Sequence, residues 1–319
     1  MVVDRYGRRI DYLRISVTDR CNLACIYCMP KRDSVKQDPS EILTFEEIEE
    51  IVKAALSVGI TKIRLTGGEP LARKDLAHLV SSLARLRGIT DLSLTTNGTL
   101  LAKYAEELAE AGLNRVNISL DSLNKDRYRT ITRGGNIEDV LRGIEKALQL
   151  ELLPVKINVV LLPGINDDEI DEFLSLSYHR PLHVRFIERM PFSGKHGESQ
   201  RFTPVSEVMD RCQIWGGLQP CRVSGNGPAR TYRLNGGLGT IGFISPITVP
   251  FCSSCNRLRL TADGRLKPCL CSELEIDLKE TLRAGRQVRD LIREAIKKKP
   301  KQKYFCGQAL KETMSKIGG

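Results

Sequence analysis

Short apolar runs rich in β-branched residues recur over the first 190 positions, each followed by a stretch whose apolar residues repeat every third or fourth position. The first kind reads as strand and the second as amphipathic helix. The pattern predicts a strand over residues 11–17, then a helix opened by the capping box Thr44-Phe45-Glu46-Glu47 and running to Val58, with Gly59 as its stop. A strand at 61–66, a helix at 74–86, a strand at 91–95 and a helix at 100–111, ended by Gly112, come next. Strand 115–120, helix 137–150, strand 155–161, helix 167–177 and strand 183–188 complete the series. Strands alternating with helices make an α/β fold, a parallel sheet with helices outside. Eight such strands close a full barrel. The six here predict an incomplete (β/α)6 parallel barrel, open at the side.

Past Met190 the rhythm changes. Residues 191–227 are rich in turns, 231–248 read as a short hairpin, and Asp263-Gly264 between 258–261 and 265–269 is a two-residue hairpin signal. Helices at about 275–283 and 286–298 precede a tail. The expected division is therefore a partial barrel over 1–190 and a C-terminal extension over 191–319, too thin in apolar residues to stand alone.

Composition changes this picture little. With 41% hydrophobic and 28% charged residues, the 319-residue chain reads as an ordinary soluble protein. No apolar run reaches signal-peptide or membrane-span length, so a cytoplasmic location is expected, with no membrane partner. In a reducing compartment, ten cysteines argue for metal rather than disulfides. The net charge, 49 − 39 = +10, suits nucleic acid, an anionic membrane or a polyphosphate substrate. Its densest tract, Lys297-Lys298-Lys299-Pro300-Lys301-Gln302-Lys303, reads as the solvated end of a helix.

The chemistry starts at Cys21-Asn22-Leu23-Ala24-Cys25-Ile26-Tyr27-Cys28, three thiols spaced C-x3-C-x2-C with no fourth ligand nearby. A structural zinc closes a tetrahedron of four ligands, and an iron–sulfur cube also takes four. Three thiolates leave one metal corner open. With Tyr27 before the last cysteine, the loop resembles the signature of the radical S-adenosylmethionine (SAM) enzymes. That resemblance implies a [4Fe–4S] cluster held by Cys21, Cys25 and Cys28, whose bare iron chelates SAM.

Ligands of parallel sheets collect at the carboxyl ends of the strands. The second strand ends in Thr66-Gly67-Gly68-Glu69-Pro70, whose glycines permit close backbone approach to a ligand. Beside the cysteine loop it resembles the family's GGEP motif, which holds the SAM ammonium. Thr95 and Ser119 bring hydroxyls to the same edge. Arg14, Arg64, Lys156 and Arg185 lie within or beside strands, where cations need a partner; together they suggest an anion in the barrel mouth. Alternation leaves open that Arg64 faces the helices instead.

A second trio, Cys252-x2-Cys255-x13-Cys269, is followed at once by Asn256-Arg257-Leu258-Arg259. Zinc is its alternative occupant. Cys271, two residues beyond Cys269, is a rival fourth thiolate, while Cys212, Cys221 and Cys306 read as small packing residues. Residues 12–21, Arg185-Phe186-Ile187-Glu188-Arg189-Met190-Pro191, the CxxC-N-R-x-R segment and the closing Gly318-Gly319 together resemble one branch in particular, the GTP 3′,8-cyclases of molybdenum cofactor biosynthesis. Ala24, where the family often carries arginine, and Glu312, where it tends to be basic, depart from the pattern.

The resemblance implies a lyase in which a 5′-deoxyadenosyl radical removes hydrogen from C3′ of GTP, giving 3′,8-cyclo-7,8-dihydroguanosine 5′-triphosphate. It implies a second [4Fe–4S] cluster on Cys252, Cys255 and Cys269, and SAM contacts from Tyr27, Gly67, Gly68, Glu69, Ser119 and Met190. It assigns GTP to Arg14, Arg64, Thr95, Lys156, Arg185, Arg257, Leu258 and Arg259, with the Gly318-Gly319 tail assisting turnover. Implied partners are an electron donor such as flavodoxin or ferredoxin and a downstream cyclic pyranopterin monophosphate synthase, without nucleic acid; a homodimer is left open. The rivals are a peptide-modifying radical SAM enzyme, which usually carries more cysteines in the second region, and a zinc-stabilised nucleic-acid-binding protein.

Overall fold

Strand and helix alternate from β1 (Tyr12–Ser16) through α1 (Phe45–Ser57), β2 (Lys62–Thr66), α2 (Leu76–Ala84), β3 (Asp91–Thr96) and α3 (Leu101–Glu110). The series continues with β4 (Arg115–Ser119), α4 (Lys125–Thr132), α5 (Ile137–Gln149), β5 (Lys156–Leu161), α6 (Ile170–His179) and β6 (His183–Glu188). The computed structural model describes residues 2–28, 37–190 and 202–302. The expected elements recur with shifts only at their ends, and the capping box forms: Thr44 and Glu47 exchange side-chain-to-backbone hydrogen bonds at the start of α1. Helix α4 was not foreseen. Asn124 caps it, but its exposed face is so polar that hydrophobic periodicity is faint.

Strands β1 to β6 pair in sequence order, all parallel. The C-terminal part adds α7 (Val205–Ile214), β7 (Leu218–Pro220), β8 (Arg230–Leu234), β9 (Thr240–Ile244), β10 (Arg257–Leu260), β11 (Arg265–Lys267), β12 (Ile276–Asp277), α8 (Leu278–Arg283) and α9 (Arg289–Lys297). Strand β9 pairs parallel to β6, and β10 parallel to β1. The extension therefore lengthens the sheet at both edges, making eight consecutive parallel strands, β10-β1-β2-β3-β4-β5-β6-β9. Antiparallel β11–β12 and β8–β7 then end the sheet on either side. The expected hairpins are β8–β9 and β10–β11, the latter turning at Gly264 with φ of 84°. Helix α7 lay hidden in the turn-rich stretch; its buried face is only Val205, Val208 and Cys212.

A parallel sheet covered on both faces normally reads as continuous apolar strands. Here the strands alternate. Leu13 and Ile15, Ile63 and Leu65, Leu92 and Leu94, Val116 and Ile118, and Ile157 and Val159 join one core with the helices. The other face is polar, and that difference makes room for a site.

Candidate active site

In register, Arg14 lies between Arg64 of β2 and Arg259 of β10. Arg64 in turn neighbours Ser93, Ser93 neighbours Arg115, and Asn117 neighbours Lys156. All therefore occupy one face. The sheet curls around it. Strands β1 and β6 are five positions apart, about 24 Å in a flat sheet at a spacing of ~4.8 Å. Yet the charge of Arg14 helps to depress the ionisation of Arg185 on β6, after burial and the nearer Arg64 and Arg115. Curvature brings both guanidiniums into one interior, as an incomplete barrel requires.

The interior is polar and incompletely satisfied. Arg64 Nε donates to Ser93 Oγ at 3.1 Å, and Arg185 Nη2 to Asn117 Oδ1 at 3.1 Å. Arg64 Nη2, Arg185 Nε and Asn158 Oδ1 are buried there without a hydrogen-bond partner. Buried polar groups are nearly always bonded, so such a cluster marks the seat of a polar ligand. Burial lowers the pKa of Arg14 to about 9, helped by Arg259, and that of Arg64 to about 9. Lys156 falls to about 6, through burial first and then Arg185, Arg115 and Arg64. A polyanion would relieve all of them.

The alternation thus resolves Arg64 to the inside. It also places the Leu258 side chain, fully buried, on the helix side, so that its backbone is what borders the interior. Arg115, Asn117, Ser93 and Asn158 were missed. Their signal was available, since each strand carries polar residues at every second position.

At the carboxyl end of β1, the cysteine loop rests on α4 through Ala24 N to Thr132 O and Ile26 N to Ile131 O. Cys21, Cys25 and Cys28 are half-buried and carry no disulfide. Burial raises the Cys21 and Cys25 thiols, Asp121 adding to the effect on Cys25. Tyr27 donates to Asp121 Oδ2 at 2.6 Å, which orients its ring across to the end of β4.

The glycine pair also packs against the cysteine loop. A Cβ on Gly68 would lie 2.2 Å from Arg20 O, and one on Gly67 2.6 Å from Thr18 O. Gly68 N and Glu69 N bond to Thr18 O and Arg20 O, both at 2.8 Å. The close approach is to the cysteine loop's own backbone, which the Gly67-Gly68-Glu69 turn grips. The Glu69 carboxylate is wholly buried and accepts from Thr96 Oγ1 and Asn97 N, each at 2.7 Å, tying β2 to β3. Ser119 and Thr95 stand on the interior face, Thr95 accepting from Asn117 Nδ2 at 3.3 Å.

Cys252, Cys255 and Cys269 line an open cleft of about 520 Å³ together with Met190, Arg257 and Arg259. Met190 therefore sits with the second thiol group. Arg257 lies over the Phe251 ring at 5.0 Å. Burial alone would raise the Cys255 thiol, but Arg257 and Lys299 outweigh it and bring it to about 7. Cys269 falls to about 5, chiefly through its hydrogen bond with Cys271, with Lys299 and Arg259 adding to it. This trio is set in a cationic field, unlike the first.

Four sulfurs bound to one zinc lie within about 4 Å of one another, at ~2.3 Å from the ion. Among the described residues, no three His, Cys, Asp or Glu side chains converge on such a point. Thiolates are the donor set that an iron–sulfur group takes, and each loop supplies three half-buried ones. Gly318, Gly319, Cys306 and Glu312 lie outside the described residues.

Two family models match the chain, the Radical SAM superfamily over residues 15–177 and Molybdenum Cofactor Synthesis C over residues 182–305. The GTP 3′,8-cyclase of Pelotomaculum thermopropionicum is 51% identical over 99% of both chains. That of Peptoclostridium acidaminophilum is 47% identical over 100% of this chain and 98% of its own. Among solved structures, Streptococcus suis SuiB bound to S-adenosylmethionine superposes with a TM-score of 0.59 at 16% identity, covering 89% of this chain and 68% of that one, a likeness of fold alone.

Proposed function

The chain belongs to the GTP 3′,8-cyclase family of the radical SAM superfamily, and from that premise we propose how its interior divides the work. The reaction converts GTP to 3′,8-cyclo-7,8-dihydroguanosine 5′-triphosphate, the first step of molybdenum cofactor biosynthesis. Cys21, Cys25 and Cys28 hold a [4Fe–4S] cluster that binds SAM. Bound there, cluster and SAM supply the 5′-deoxyadenosyl radical that takes hydrogen from C3′. Cys252, Cys255 and Cys269 hold a second cluster, which receives the purine.

The rest falls to the polypeptide. The observation that carries the reading is the set of buried donors without acceptors, Arg64 Nη2 and Arg185 Nε, in an interior lined by Arg14, Lys156 and Arg259. Guanidiniums fork onto phosphate oxygens in two parallel bonds, which fixes position as well as charge. A triphosphate held at several such points has one orientation, and its ribose is aimed with it. The apolar helix-facing core behind the sheet keeps bulk water from the back of this chamber. Tyr27, oriented by Asp121, and the Gly67–Glu69 turn, fastened to residues 18–20, keep the first thiol loop rigid beside the ribose end.

The proposal keeps residues 1–190 as the SAM-binding part and 191–319 as the part that contributes the second thiol trio and the Gly-Gly tail. An electron donor such as flavodoxin or ferredoxin, a downstream cyclic pyranopterin monophosphate synthase and a cytoplasmic location belong to the same reading, with a homodimer left open. No helix among the described residues is long and apolar enough to cross a membrane.

Incubating the anaerobic protein with SAM, dithionite and GTP deuterated at C3′ tests it. Deuterium is expected in 5′-deoxyadenosine, together with the cyclised nucleotide. SAM cleavage without label transfer would reject GTP as substrate.

A further inference from the structure

The basic tract after α9 is not wholly solvated. Lys297 and Lys298 are exposed, but Lys299 turns inward and is only 2% exposed. Its ammonium donates to Arg257 O and to Pro268 O, both at 2.7 Å. Arg257 lies two residues after Cys255, and Pro268 immediately precedes Cys269. One side chain thus ties together the two arms that carry these thiols.

The third arm is held in the same way. Arg8, paired with Asp4 at 2.6 Å, donates through Nη1 to Cys252 O at 2.8 Å. Arg8 therefore has its own counter-ion. Lys299 does not: among the described residues no carboxylate pairs with it, and its acceptors are the two carbonyls. A buried charge is costly unless it is paired. An ammonium has three donors, so among the described residues two carbonyls leave one N–H for a further acceptor. The groups that share its cleft and can answer its charge are the thiols Cys255 and Cys269.

We propose that Lys299 is a positioning residue of the second thiol site, fixing both arms through their carbonyls and serving as the buried counter-ion of what the three thiolates hold. The inference rests on the reading that Cys252, Cys255 and Cys269 carry a cluster. A fixed cation beside a cluster favours the extra electron of its reduced state. Lys299 would therefore hold that cluster at a higher reduction potential than the same thiolates would give alone.

Holoenzyme reconstituted anaerobically tests this with Lys299→Met, similar in length but uncharged, and Lys299→Arg, which keeps the charge. The readouts are iron per chain, melting temperature and the midpoint potential of the EPR signal that GTP perturbs. Lys299→Met is expected to lower the reduced-to-oxidised ratio of that signal at least tenfold at fixed poise, about 59 mV for a one-electron couple. Lys299→Arg should recover most of it, and SAM cleavage without GTP should stay unchanged in both. Loss of iron from the second site alone in Lys299→Met, with retention in Lys299→Arg, also supports the role. A wild-type potential and GTP response in Lys299→Met overturns it while leaving the second cluster standing. So does equal loss in both variants tracking a fall in melting temperature, which is what a purely structural tie produces. Wild-type protein that loads only about four irons, one cube, removes the second cluster and this inference together.

Discussion

Arg14 and Arg259 stand opposite each other across the β1–β10 pair, two buried guanidiniums on neighbouring strands. Like charges directly opposite destabilise a sheet. If the proposed triphosphate site is right, bound phosphates should offset that repulsion.

Arg259→Met should therefore separate stability from function. Removing one of two facing like charges relieves their repulsion, so stability is not expected to fall with affinity. Loss of a charge-assisted contact should weaken GTP by about 1.5–3 kcal/mol, roughly tenfold to a hundredfold in Kd. Calorimetric melting and titration of the same sample measure both. Unchanged GTP affinity would remove Arg259 from the substrate set.

Lys156 makes binding proton-linked. Its pKa of about 6 lies below the usual lysine value of 10.5. Between those limits the unfolded chain binds more protons than the folded one, so this residue's contribution to stability increases as pH rises from about 6 toward 10.5. A phosphate beside it raises the pKa again, so GTP binding at pH 7.5 should take up a proton. Titrations in buffers of different ionisation enthalpy read that uptake directly, and Lys156→Met should abolish it. Identical heats across buffers would contradict the linkage.

Glu69 carries the opposite sign. Burial raises its carboxyl to about 7, above the ordinary 4.5, against its bonds to Asn97 and Thr96. The folded protein then holds the proton more tightly, and this residue's contribution to stability falls as pH rises from 4.5 through 7. Glu69→Gln should flatten that slope in urea unfolding at pH 5 and pH 8. It should also cost about 1–3 kcal/mol from an impaired buried hydrogen bond. An unaltered slope would mean that the titrating group lies elsewhere.

Cys269 and Cys271 interact through a hydrogen bond, yet they are not expected to be interchangeable. Cys269→Ala should halve the iron, from about eight per chain to about four, and Cys271→Ala should leave it near eight. Iron assay with Mössbauer spectroscopy decides. The reverse pattern would move the ligand to Cys271.

Glu188 closes the end of β6. It accepts from Ile247 N at 2.9 Å and Thr248 N at 3.0 Å, in the segment that leads to Cys252. Glu188→Ala leaves those donors unmet at a cost of about 1–3 kcal/mol each. A lower melting temperature with preserved SAM cleavage but impaired cyclisation is expected. A loss confined to SAM cleavage would argue against this connection.

What depends on neighbours along the chain was legible in sequence. The period-two strands, the Thr44 capping box, the Asp263-Gly264 turn and both cysteine spacings are short-range patterns. They sufficed for the α/β alternation, for two open thiol trios and for the resemblance to one family. Closure was not legible, because it joins residues far apart in the chain. Only the curl of the sheet brings Arg185 within reach of Arg14, and only the pairing of β10 with β1 sets Arg259 beside Arg14. Gly68 lies against the Arg20 backbone, and Lys299 leaves a solvated tract for the carbonyls beside two thiols. Spacing along a chain sets which groups are available; what answers a buried charge is decided by the surface packed against it.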